Sequence, residues 1–284
     1  MSPLRSFLTR IGLAPSQIAM HLLLLVCAFA MVFPFYWMVL TAFRPSQEVF
    51  LPTFHWLPQD FVGLDNFRDA FAKAPLWRFM ANGLIVCAGI LVVQLLTAIP
   101  CAYALAKFEF RGRQALFALV LFGLCVPVQV PALPLYLGLA STGTLDSYFS
   151  MMLPFFLSVF AIFLFRQVFR SFPDDIIHAA RLDGMGEFEI LWRVVVPSAK
   201  PAIAAFAVFS ITAHWNDLYW PLVVVTSPEL APPPLGMMYF RDTDLGSSFG
   251  SLMAAATVLT APLMILFLFA QRHFIRGITM TGVK

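Results

Sequence analysis

Two ionisable side chains, His214 and Asp217, fall near the middle of apolar sequence in this chain of 284 residues. A carboxylate in such a place could accept hydrogen bonds from the hydroxyls of a passing solute, or hold the ion or proton that drives a secondary transporter. It could equally pair with His214 one turn away, or reach water at the end of its run. Asn216, Tyr219 and Trp220, with Trp215, surround it as a polar and aromatic cluster. Such rings stack on sugars, or form the belt that anchors a helix at the membrane-water boundary. Bond-making chemistry finds no footing: no G-x-x-x-x-G-K-[ST] phosphate cradle, no G-x-S-x-G and no H-E-x-x-H occurs. Cys27, Cys87, Cys101 and Cys125 lie in apolar runs without C-x-x-C spacing or a paired histidine, so they read as small hydrophobes, with no disulfide or metal framework. The chain is expected to be no enzyme and to bind no metal.

A second constellation lies between Ser171 and Pro201. Ser171, Pro173 and Asp174 predict a helix start, with a hydroxyl acceptor, a proline near the first position and acids at the positive end of the dipole. Gly184 and Gly186 stop it, leaving a helix from Pro173 to Asp183. Ile176, Ala179, Ala180 and Asp183 share one of its faces, where two alanines would let another backbone come close. A second amphipathic stretch follows from Glu187 to Val196, with Phe188, Leu191, Trp192 and Val195 at helical spacing, before Pro197 and Pro201. By spacing alone this helix-turn-helix either docks a partner or braces a bundle from the membrane surface.

The elements that must carry these groups are membrane helices. The chain is 60% hydrophobic and only 12% charged, against roughly a quarter charged in soluble domains. A bilayer span needs about 20 largely apolar residues, and six runs qualify: residues 18–43, 79–106, 114–139, 147–169, 202–226 and 251–271. The expected fold is an all-α integral membrane protein with six transmembrane helices in a single domain, 1–284, with no soluble domain attached. The first run is too long for a signal-peptide core and offers no small-residue cleavage site, so it is retained. Thirteen lysines and arginines fall in the termini and alternate loops against five on the other side, which places both termini and residues 171–201 in the cytoplasm. The net charge of +3 is spread in this way and points to no nucleic acid. The loop from Arg44 to Arg78 either lies along the outer interface, with Leu64, Phe67, Ala70 and Phe71 on one face after a cap at Asp65, or merely connects two helices. Prolines 34, 100, 127, 131, 134, 154, 221 and 262 interrupt the runs. Three of them share two turns at Pro127 to Pro134, where a broken helix would line a path.

The loop also resembles a known family. His178-Ala179-Ala180-Arg181-Leu182-Asp183-Gly184, then Phe188, Trp192 to Pro197, and Lys200-Pro201-Ala202, resemble the Glu-Ala-Ala loop of ATP-binding-cassette importer permeases, in the form of the carbohydrate-uptake branch. Phe43 to Ser46 with Glu48, Asn66-Phe67, Asn82, Ala102 to Ala106 with Phe110-Arg111-Gly112, Trp215-Asn216-Asp217 with Trp220-Pro221, and Gln271 to Gly277 are similar to the second maltose-permease subunit and its relatives. The resemblance implies a permease in a bacterial inner membrane, paired with a second, similar permease subunit. It also implies two ATPase subunits that hold the ATP and Mg, and an extracytoplasmic solute-binding protein. It makes His178, Ala179, Ala180, Asp183, Gly184, Phe188 and Pro197 the coupling element, and the tail at Gly277, Thr279 and Lys284 a contact toward the ATPase, after a helix stop at Gly277. His178 stands where the family has a carboxylate. An imidazole there forgoes an ion pair with the ATPase or replaces it with a weaker hydrogen bond. The solute expected is a sugar or sugar-like compound such as an oligosaccharide, polyol or glycerol phosphate. An ion- or proton-coupled secondary transporter is the alternative.

Overall fold

The computed structural model describes residues 15–49, 55–244 and 248–279, and their regular elements are all helical. The chain divides into two compact units, Met1–Ala74 with Asp244–Thr257, and Pro75–Thr243 with Val258–Lys284.

In the first unit, α1 (Pro15–Ala42) is followed by the short α2 (Ser46–Val49) and by α3 (Asp65–Lys73). The last carbonyls of a helix lack intrahelical donors. Asn66 supplies them at the end of α1, its Nδ2 donating to the carbonyls of Ala42 at 2.9 Å and Arg44 at 2.8 Å. Arg44 and Glu48 form a buried ion pair at 3.5 Å, and the Gln59 amide donates to the same carboxylate at 3.0 Å. The expected cap at Asp65 is not made. Leu64 holds the N-cap position, and Asp65 sits in the first turn facing Arg68 at 3.2 Å.

The second unit contains α4 (Leu76–Lys107), α5 (Arg113–Cys125), α6 (Ala132–Ser141), α7 (Tyr148–Phe155, its last turn 3-10), α8 (Val159–Arg170), α9 (Asp174–Leu182), α10 (Glu187–Ser198), α11 (Lys200–Trp215), α12 (Tyr219–Val224) and α13 (Pro233–Asp244). The final helix, α14 (Phe249–Thr279), begins in the first unit and ends in the second. By length and composition α1, α4 and α14 can cross a membrane, which makes three spans, or up to five if each bent pair counts as one span. The pairs are α7 with α8, bent by 46°, and α10 with α11, bent by 80°.

Three of the expected runs are therefore broken. Residues 114–139 divide into α5 and α6 at Pro127 and Pro131, whose missing N–H groups end the ladder. Residues 147–169 bend beside Pro154, and residues 202–226 part at 216–218 between α11 and α12. Pro34, Pro100 and Pro262 lie inside continuous helices. Gly277 is no stop, because α14 runs on to Thr279. Gly277 and Thr279 belong to turns where the backbone alone is described, and Lys284 lies outside the described residues. Nothing in the sequence reading anticipated α13.

The core of the second unit lies toward the α9 end. Ala98 and Ala102 of α4, one turn apart, give Phe165 and Phe169 of α8 room to bury completely, and Ile177, Ile190, Leu191, Val195 and Phe206 close over them. Where the alternative is water, each such large side chain contributes roughly 1.5–3 kcal/mol by its burial.

Candidate functional site

Residues 171–198 fold as two short helices held against the end of α4. Pro173 is the N-cap of α9, with φ near −61°, and no side chain caps the helix. The expected acceptor, Ser171, instead donates its hydroxyl back to Val168 O at 2.8 Å. Lys107 performs the fastening from α4, donating to Phe172 O at 2.6 Å and pairing with Asp174 at 2.5 Å. That pair holds the Asp174 carboxyl below its ordinary range. At the other end, Gly184 takes φ +84°, where an added Cβ would meet nothing within 4 Å, so it is the backbone angle that favours glycine. Met185 N–H returns to Ala180 O and Gly184 N–H to Arg181 O, each at 3.0 Å, which closes a Schellman motif.

Glu187 joins the two short helices to α4. Its carboxylate accepts from Arg181 Nε at 2.5 Å and from the Tyr103 hydroxyl at 3.0 Å. The Arg181 hydrogen bond holds the Glu187 carboxyl below its usual range and raises the guanidinium in return. Arg113 and Arg166 close the end of α4. Both donate to Leu105 O, at 3.0 and 3.1 Å, and Arg113 also donates to Ala106 O at 3.0 Å, placing cations at the negative end of the dipole. In α10, residues Leu191–Val195 form a π turn that carries both of those side chains into the core.

The faces of α9 differ from the expected grouping. Ile177 and Ala180 turn inward to the chain's own core, Ala180 at 7% exposure. Ala179 is exposed with Asp175, Ile176, His178 and Asp183. Leu182 is 89% exposed and Phe188, at the start of α10, 72%. Helical spacing admits both groupings of the alanines, and the core residues that decide between them come from α4 and α8. Pro197 is exposed at the end of α10.

The second group of expected residues borders a cavity of about 470 Å³. Its rim is formed by the three chain breaks: Val128, Gln129 and Pro131 between α5 and α6, Leu157 and Ser158 after α7, and Asp217 before α12. Tyr219 and Trp220 also line it, whereas Asn216 is exposed and donates to Thr212 O at 2.9 Å. Deeper in, Gln94 of α4 accepts from Ser210 Oγ at 2.7 Å, donates to Phe155 O at 2.9 Å and lies 3.4 Å from His214 Nε2. Asp217, just before the Leu218 N-cap, accepts from the Trp220 amide in the first turn of α12 at 3.3 Å, and no hydrogen bond joins it to His214 among the described residues. Both tryptophans are buried structural donors, Trp220 to Ser150 O at 2.8 Å and Trp215 to Leu259 O at 3.1 Å, so neither belongs to an interfacial belt. Gln94, Lys107 and Tyr103 were missed as site residues. A lone Gln inside an apolar run was the available signal for the first. Among the described residues no three of His, Cys, Asp and Glu converge on a metal-sized site.

Solved structures share this architecture of broken apolar helices beside a cavity. A chain in the crystal structure of a bacterial ABC transporter involved in importing the acidic polysaccharide alginate superposes with a TM-score of 0.81 over 92% of this chain and 99% of that one, at 24% identity. A second, from an alginate ABC transporter in complex with an alginate pentasaccharide-bound periplasmic protein, gives 0.63 at 18% identity, over 99% of this chain and all of that one. The family described as binding-protein-dependent transport system inner membrane component matches residues 94–280. The permease protein AraQ of the arabinooligosaccharides transport system of Halalkalibacterium halodurans is 34% identical over the whole of this chain and 98% of its own length. UgpE of Escherichia coli, from an sn-glycerol-3-phosphate transport system, is 30% identical over 91% of this chain and 94% of its own. The chain belongs to this family of inner-membrane permease components, a multi-pass bacterial membrane protein whose relatives are transport subunits and not enzymes.

Proposed function

We propose that this chain is one permease half of an ATP-driven importer for a sugar or sugar-like solute, and that α9 with the start of α10 docks on a separate ATPase. The observation that carries the docking reading is the exposed surface at Ala179, Leu182 and Phe188 on a loop whose inner side is fixed by Lys107, Tyr103 and Glu187. Large apolar side chains so exposed on a rigid, mixed-charge element mark a protein contact. The sugar class is supported by the relatives, which are named for arabinooligosaccharides, diacetylchitobiose and sn-glycerol-3-phosphate. In this reading six crossings, formed by α1, α4, α5–α6, α7–α8, α11–α12 and α14, place both termini and α9 on the cytoplasmic side. A second, similar permease completes the path, two ATPase subunits carry ATP and Mg, and a binding protein delivers solute from outside. An ion-coupled mechanism draws no support from the cavity, since Asp217 accepts from the Trp220 amide in the first turn of α12 and His214 lies against Gln94 and the Phe155 ring.

Leu182→Asp tests the docking face, because the wild-type side chain is outside the fold. Loss of a buried leucine at an interface, about 1.5–3 kcal/mol, weakens association roughly ten- to a hundredfold. The expected result is an unchanged amount of permease in the membrane with ATPase co-purification and uptake both lost. Full uptake with an undiminished complex would overturn the docking assignment.

A further inference from the structure

Among the described residues Asp146 is the non-glycine residue with positive φ, at 54°. Aspartate tolerates the left-handed region when its short side chain finds a local hydrogen bond. Here the carboxylate reaches across to a different part of the chain. One oxygen accepts from the amides of Thr226 and Ser227, each at 2.9 Å, and the other from the Ser227 hydroxyl. The Asp146 amide in turn donates to Val224 O at 2.8 Å, so main chain and side chain of one residue both grip the exit of α12.

The next residue, Ser147, begins α7 with a capping box, accepting from the Ser150 amide at 3.2 Å. One turn further, Ser150 O takes the Trp220 indole hydrogen bond. Helices α7 and α12 are thus fastened at two levels. Asn82 of α4 ties the start of α7 to the segment that follows α12, accepting from the Tyr148 hydroxyl at 2.6 Å and donating to Glu229 O at 2.8 Å and Ala231 O at 3.0 Å. Each helix also ends at a chain break on the cavity rim, Leu157 and Ser158 after α7 and Asp217 before α12.

We propose that Asp146 is a positioning residue for transport, locking α7 and α12 into one block that pivots at the two breaks and carries Phe155, Tyr219 and Trp220 as a unit along the cavity wall. This rests on the cavity being part of the solute path proposed above. Without the carboxylate, only the hydrogen bonds of the Asp146 amide and the Trp220 indole hold α12 to α7 among the described residues, and the two helices loosen where the cavity wall must move as one.

Two variants separate the lock from the backbone angle. Asp146→Gly accepts positive φ freely but removes the acceptor, whereas Asp146→Asn keeps an acceptor oxygen and a side chain that tolerates the angle. Uptake per ATP hydrolysed by the complete importer in proteoliposomes is expected to fall tenfold or more with Asp146→Gly and to stay within about twofold with Asp146→Asn. A merely structural role would lower the yield of Asp146→Gly while leaving uptake per ATP of the surviving protein unchanged, and that result overturns the proposal. Thiol labelling of Ser150→Cys, a site fully buried in the block, reads separation with no need of solute or ATPase. Labelling should speed up about tenfold with Asp146→Gly and not with Asp146→Asn, and equal rates in both would refute the lock even if the importer reading itself failed. Finally, Asp146→Cys with Ser227→Cys, joined by a short thiol cross-linker in a chain whose native cysteines are alanine, should still transport. Transport that is lost on cross-linking and regained on release would mean that α7 and α12 part in every cycle, contrary to the proposal.

Discussion

The loop around α9 and the block around α7 and α12 are both fastened to α4, but by opposite kinds of bond. At the loop, charged side chains meet at partly open edges, Lys107 with Asp174 and Arg181 with Glu187, over an apolar core. In the block, neutral or singly acidic side chains satisfy backbone groups: Asn82 on two carbonyls, Trp220 on Ser150 O and Asp146 on two amides. Exposed ion pairs contribute little and re-form readily, whereas a buried carbonyl stripped of its donor costs about 1–3 kcal/mol. The loop therefore rests chiefly on its apolar core, and the block on hydrogen bonds to its backbone.

The largest effect is expected beside the block, where α13 packs on α4. A Cβ on Gly236 of α13 would lie 2.3 Å from the buried Phe79 ring of α4, so Gly236→Val must displace α13 or the ring. Overpacking of this kind costs about 1–3 kcal/mol and occasionally more, and thermal unfolding in detergent should show it as a clear drop in Tm. An unshifted Tm would mean that the α13–α4 contact has slack. A comparable but smaller loss is expected at the loop when bulk is added on the inner side of α9. Ala180→Trp should reduce the amount of folded permease, while Ala179→Trp should leave that amount unchanged and weaken ATPase co-purification about tenfold. Identical behaviour of the two would contradict the assignment of faces. Glu187→Gln keeps one acceptor oxygen for Arg181, turns the Tyr103 hydroxyl from donor to acceptor and removes the charge, so it should lower solute-stimulated ATP hydrolysis by a few-fold with little change in Tm. A Tm drop as large as that of Gly236→Val would erase the distinction between the two regions.

The smallest effect concerns pH. Asp174 and Glu187 are held below their ordinary values of 3.8 and 4.5 by Lys107 and Arg181. Their contribution is complete above those ordinary values and is lost as pH falls through the lowered ones. ATPase co-purification should therefore stay flat between pH 8 and pH 5, and a decline already at pH 6 would show that these pairs do not hold the loop.

The same contrast decides what was legible in the sequence. The loop was readable because proline and glycine punctuate it and its apolar residues keep helical spacing, and the observed α9 begins and ends within one residue of the expected bounds. Its inward face was not readable. Ala179 and Ala180 are equivalent by composition, and only Phe165 and Phe169, brought in from α8, decide which one is buried. The block was almost silent, since Asn82 and Asp146 act on backbone groups, and Trp220 on the Ser150 carbonyl, far away in the chain, and no local pattern records such a partner. Proline was an unreliable guide in both regions. Pro100 sits within an unbroken α4, and the parting at 216–218 has no proline in it.

Helix α4 joins these regions as one unbroken rod of 32 residues. At 1.5 Å per residue it is about 48 Å long, against a hydrocarbon layer of about 30 Å. Such an excess is absorbed by tilt or by protrusion into the headgroups, and the balance shifts with the length of the lipid chains. Asn82 lies near one end of the rod and Lys107 is the last residue at the other. Bilayer thickness thereby bears, together with the packing of α4 on its neighbours, on the inclination at which both are presented, which makes the lipid a mechanical parameter of this permease as well as its solvent.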